Sequence, residues 1–169
     1  MVDANPEYIS TVNDGLELNG LHSRVVHGLV GLRDQPVTIN ISKSPARSST
    51  LKSYATRRRI TLTSLDLEEL VKQEFPGGID LLKVDIEGAE KFLVTDWKAV
   101  LLASRAVIVE WHCFGLPWQN LQDVFQECGL TLKHPVNPDV SGKTLTALFL
   151  RDDKKDAKGS QLCKSDGNL

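Results

Sequence analysis

The chain has 169 residues, 41% of them hydrophobic and 25% charged, which is enough apolar material for one real core. Twenty Lys and Arg against twenty-two Asp and Glu leave a net charge of −2, so no basic field marks it for nucleic acid or an anionic membrane. No apolar stretch reaches the length of a membrane span, and M-V-D-A-N-P has neither the charged nor the apolar region of a signal peptide. Cys113, Cys128 and Cys163 form no CxxC pair and no even framework, which fits reduced thiols and a cytoplasmic address.

In chain order, Met1 to Asp3 read as the end of a strand. Asn5 and Pro6 then have the chemistry of a helix N-cap and first turn, and Ile9, Val12 and Leu16 recur at helical spacing up to a stop at Gly20. Strands are predicted over Arg24 to Gly28 and Val37 to Ile41. Ser42 to Arg59 is polar, has no apolar period and is predicted as a loop. A short strand follows at Ile60 to Thr63, then a helix from Asp66 to Glu74 that ends at Pro76-Gly77-Gly78.

Ile79, Leu81, Leu82 and Val84 make a nearly continuous apolar run, the mark of a parallel strand covered on both faces. Helix is predicted from Glu90 to Ser104, a second buried strand at Arg105 to Glu110, and a helix from Pro117 to a stop at Gly129. Leu130 to His134 and Thr144 to Leu150 read as a closing antiparallel hairpin across N-P-D-V-S-G. The stretch from Arg151 to Leu169 has almost nothing to bury and reads as a disordered tail. One domain over 1–150 is expected: an open α/β sheet with helices on both faces, whose ligands lie beyond the carboxyl ends of its strands.

That rim is acidic. I-D-L-L-K-V-D-I-E-G-A-E at 79 to 90 leaves its strand through Asp85, Glu87 and Glu90, and the next strand ends in Glu110 followed by Trp111 and His112. An acid at a helix N-terminus is favourable against the macrodipole without any ligand, which accounts for Glu90 more readily than for Asp85. Arg57, Arg58 and Arg59 read as a solvated edge rather than an anion site, and Trp111 and Trp118 as core rather than an acceptor wall.

The stretch at 79 to 90 closely resembles the signature of the FkbM-type methyltransferases. D-A-N-P-E-Y at 3 to 8 with L-E-L-N-G-L at 16 to 21 resembles that family's segment after its second strand, T-S-L-D-L-E-E-L at 63 to 70 its T-L-D-x-L element, and A-V-I-V-E-W-H at 106 to 112 its next strand. The resemblance implies a Rossmann-like class I methyltransferase sheet that uses S-adenosylmethionine. It implies Asp3, Asn5 and Asp85 on the cofactor, with Asp3 accepting from the ribose hydroxyls. It implies Asp85, Glu87 and His112 as catalytic groups, Asp85 foremost as base, and Glu90 and Glu110 at the acceptor.

The family's first strand and D-x-G-x-x-x-G loop have no match. The glycines at 15, 20, 28 and 31 all lie downstream of Asp3. An N-terminally truncated member is therefore expected, in which a homo-oligomer or a complementing chain supplies the missing strand. The leading expectation is O-methylation of a hydroxyl on a sugar or other small metabolite, with no metal ligand assigned. A non-catalytic remnant or interaction module is one alternative. The other is a divalent-metal-dependent hydrolase built on Asp85, Glu87 and Glu90, since oxygen ligands suit hard cations.

Overall fold

The computed structural model describes residues 1–42, 56–112, 117–138 and 144–152. Residues 43–55 of the predicted loop over 42–59, residues 153–169 of the predicted tail over 151–169, most of the N-P-D-V-S-G turn, Cys113 and Cys163 lie outside the described residues, whereas Arg151, predicted in the tail, belongs to a strand.

Among the described residues three small sheets carry the fold. β1 (Val2–Asp3) pairs in parallel with β2 (Val26–His27), and β3 (Pro36–Ser42) pairs antiparallel with β4 (Thr56–Thr63). The main sheet has the order β5-β6-β8-β7, built from β5 (Ile79–Val84), β6 (Ser104–His112), β7 (Leu130–Pro138) and β8 (Thr144–Arg151). β5 and β6 are parallel, whereas β8 runs antiparallel to both β6 and β7, which gives the expected closing hairpin. Pro135 and Pro138 cannot donate to a ladder, and β7 that carries them is accordingly an edge strand with two irregularities in its register.

Local chemistry starts the helices. Asn5 caps α1 (Pro6–Leu18) by accepting from Glu7 N–H at 3.1 Å, and Asp66 caps α2 (Leu67–Glu74) by accepting from Glu69 N–H at 3.0 Å. The single helix predicted from Glu90 to Ser104 is instead two, α3 (Lys91–Thr95) and α4 (Lys98–Leu102). The break falls at Trp97, which is wholly buried and donates its indole N–H to Gly31 O at 2.8 Å. A straight helix would have to give up that anchor. α5 (Trp118–Glu127) matches its prediction.

Leu93 and Val94 of α3, Val100 and Leu101 of α4, and Leu121 and Phe125 of α5 pack on Val84, Val107, Val109, Trp111, Ala147 and Phe149 of the main sheet. Phe125 and Phe149 meet at a ring separation of 4.5 Å and Trp118 leans on Phe149, so both Trp111 and Trp118 belong to the core. Cys128 is a buried free thiol whose pKa burial pushes up.

Three further expectations are corrected. Among the described residues the helices cover one face of this sheet, not both: Ala106, Ile108 and Leu148 on the other side are only half-buried, and α1 packs on β1 and β2. β5 is likewise no doubly covered strand. It lies at the sheet edge with Asp80, Leu81 and Lys83 exposed, Leu81 to 56%. The third correction concerns Thr56 to Arg59, predicted as loop but paired in β4 opposite β3. No helix among the described residues is long and apolar enough to cross a membrane.

The turn into β5 depends on Gly78, whose φ is +92° and where an added Cβ would stand 3.0 Å from Ala103 O. That carbonyl also accepts from Ile79 N–H at 2.8 Å and cannot retreat freely. Gly78→Ala is expected to cost about 1–3 kcal/mol in urea unfolding. The neighbouring Gly77→Ala, with open space around it, is expected to stay within about 0.5 kcal/mol.

Candidate active site

β5 delivers the chain to the rim at Val84, and the next six residues turn sharply instead of extending the strand. Glu87 adopts φ +51° and Gly88 φ +95°. A non-glycine residue in the left-handed region is costly, and glycine next to it keeps the second position free of strain. The turn closes around the carboxylate of Glu90, whose Oε1 accepts from Ile86 N–H at 3.3 Å and Gly88 N–H at 3.2 Å.

Because β6 runs parallel to β5 with Val109 opposite Val84, Glu110 and His112 arrive just beyond this turn. Glu90 Oε1 then meets His112 Nδ1 at 2.9 Å, with Glu90 at 0% exposure and His112 also buried. His112 Nε2 points the other way, 3.7 Å from Glu87 Oε2 and 3.8 Å from Glu110 Oε1. A ring held at one nitrogen by a buried carboxylate presents the other nitrogen to two more acids.

Burial opposes the charged imidazole, yet the hydrogen bond to Glu90 and the fields of Glu90, Glu87 and Glu110 outweigh it and hold the His112 pKa above its ordinary value. Burial pushes the Glu87 carboxyl up as well. His112 counters that, while Asp85, Glu110 and Glu90 add to it. A weakly acidic carboxyl beside an imidazole is a pair that can pass a proton.

Of the residues singled out from the sequence, the structure gathers Asp85, Glu87, Glu90, Glu110 and His112 at one end of β5 and β6. Asp85 stands on the exposed side, its Oδ2 paired with Lys83 Nζ at 2.9 Å. Lys83 was missed, although two-residue spacing on a strand puts it on the same side as Asp85. Glu90, read as an acceptor contact, is wholly buried and holds His112. Asp3 and Asn5 sit at the end of β1 in a different sheet, where Asp3 Oδ1 accepts from Asn5 N–H at 2.7 Å and the Asn5 side chain caps α1. Arg58 and Arg59 are exposed on β4.

Donor atoms of Asp85, Glu87 and His112 lie within 4.8 Å of one another. This differs from the set Asp85, Glu87 and Glu90 weighed from the sequence, because the backbone turns after Val84 and sends Glu90 behind the histidine.

Residues 3–129 match the family model of the methyltransferase FkbM domain. A comparison with curated proteins finds no match.

Proposed function

Because the chain belongs to the FkbM methyltransferase family, we propose that it transfers a methyl group from S-adenosylmethionine to a hydroxyl of a sugar or other small metabolite. The observation that carries this reading is the convergence of Asp85, Glu87 and His112 at the carboxyl ends of two parallel strands, inside the matched segment. Ligands of open α/β sheets bind at that end.

Methyl transfer from a sulfonium needs alignment more than activation. The acceptor oxygen forms the new bond to the methyl carbon, the carbon–sulfur bond breaks, sulfur leaves as a neutral thioether, and the hydroxyl proton must go to a base. Glu87 suits that base, since burial raises its pKa and His112 stands next to it. Asp85, already paired with Lys83, orients the acceptor. Asp3 takes the ribose hydroxyls from the end of β1. The methionine end of the cofactor needs a strand and glycine-rich loop beside β5, whose outer edge carries no neighbour among the described residues. A strand paired along that edge would complete the site there.

Calorimetric titration with S-adenosylhomocysteine tests the reading, with Asp3→Asn as the variant that keeps an acceptor oxygen for Asn5 N–H. Saturable binding weakened in Asp3→Asn is the expected result. With an acceptor found, Glu87→Gln is expected to lower kcat by about 10²–10⁴. Absence of saturable binding by the folded chain, at low and at high protein concentration, would overturn the reading.

A further inference from the structure

We propose that Asp85, Glu87 and His112 bind one divalent transition-metal cation, with Glu90 as the residue that orients the histidine. The inference stands on the geometry of the turn after β5 and not on methyl transfer.

Two carboxylates and an imidazole are a donor set that suits Mn²⁺, Fe²⁺ or Zn²⁺. Around a cation with bonds of about 2.1 Å, tetrahedral donors stand roughly 3.4 Å apart. The 3.7 Å between His112 Nε2 and Glu87 Oε2 is close to that edge, and the Asp85 donor completes a group within 4.8 Å. Metal-binding histidines usually give their second nitrogen to a carboxylate that fixes ring and tautomer, and His112 Nδ1 does so to Glu90 Oε1 at 2.9 Å. With a proton on Nδ1, the lone pair of Nε2 faces the acids, an arrangement that repels unless a cation or a second proton lies between them.

A second observation points the same way. Glu90 is fully buried, and its Oε2 has no hydrogen-bond partner among the described residues. A buried carboxylate oxygen without a donor is costly, and this one belongs to the group that holds His112 in the cluster. Lys83 competes for Asp85 Oδ2, so the cation takes the other oxygen or displaces the ammonium.

The test is a titration of the chain with Mn²⁺, free metal being followed by electron paramagnetic resonance. One saturable Mn²⁺ per chain is expected, weakened at least tenfold in Asp85→Asn and in Glu87→Gln and unchanged in Asp123→Asn, an exposed acid on α5. Asp85 is exposed, so its variant remains folded. Paramagnetic broadening adds a residue-level readout: the His112 ring signals should broaden before those of His22, His27 and His134. No saturable Mn²⁺ on the folded chain, wild-type affinity in both variants, or His112 signals spared while others broaden would each overturn the proposal. S-adenosylhomocysteine binding, measured without metal, is scored separately.

Discussion

Glu90→Ala is expected to destabilise the protein by about 3–5 kcal/mol, the range for stripping one partner from a buried ionic contact. Among the described residues the carboxylate is the only acceptor for His112 Nδ1, and it also takes Ile86 N–H and Gly88 N–H, so its loss takes the acceptor from three donors. It also opens space at a fully buried position. The turn is then expected to lose the left-handed conformation at Glu87, because the Glu90 carboxylate is what draws the amides of Ile86 and Gly88 towards one point. Urea unfolding checks the energy. Glu90→Gln separates structure from positioning: it keeps an acceptor and most of the volume, so stability should fall by only about 1 kcal/mol. The His112 ring should nevertheless lose its fixed tautomer, read from imidazole nitrogen shifts, and Mn²⁺ affinity should drop by roughly 10–100-fold. Equal stability loss in both variants with an unaltered His112 tautomer would show that Glu90 only fills space.

Arg151→Ala is expected to cost about 3 kcal/mol, which in a chain of this size lowers Tm by roughly 6–12 °C. Arg151 ends β8 and spreads its guanidinium over four carbonyls: Nε donates to Ser104 O at 2.9 Å, Nη1 to Cys128 O at 2.8 Å, and Nη2 to Leu101 O and Leu102 O at 2.8 and 2.9 Å. These oxygens lie at the ends of α4 and α5 and the start of β6, where backbone carbonyls have no helical partner and the macrodipoles are negative. One side chain therefore ties the last strand to both helices beneath it. Charged hydrogen bonds are each worth about 1.5–3 kcal/mol, but four on one partly exposed group do not add. Arg151→Lys should recover less than half of the loss, since an ammonium is a point donor and cannot span the fork. A thermal melt of Arg151→Ala within 2 °C of wild type would refute this account of the C-terminal strand.

Much of the molecule is written locally. Asn5-Pro6 and Asp66 start their helices because the cap is chemistry between near neighbours, and the apolar runs at 79 to 84 and 105 to 110 become strands because period and side-chain shape act within a few residues. The same local text names the acids at the rim, since strand ends and turn residues occur together. It also carries the family signature at 79 to 90, within the matched residues 3–129.

Tertiary structure decided what those residues face. T-R-R-R in β4 hides a strand, because its backbone partners come from β3 across the sheet and no local period records them. Trp97 breaks a helix whose pattern runs on through it, since the indole finds its acceptor in Gly31, 66 residues away. β5 has the apolar content of a central strand yet lies at an edge: hydrophobicity states which residues prefer burial, not whether a neighbour is there to bury them. Above all, Glu90 and His112 are 22 residues apart, and each has an ordinary explanation alone. Only parallel pairing of β5 with β6 brings them into contact, and that contact turns a run of acids into a site, because the energies of buried charge depend on distances that close on folding.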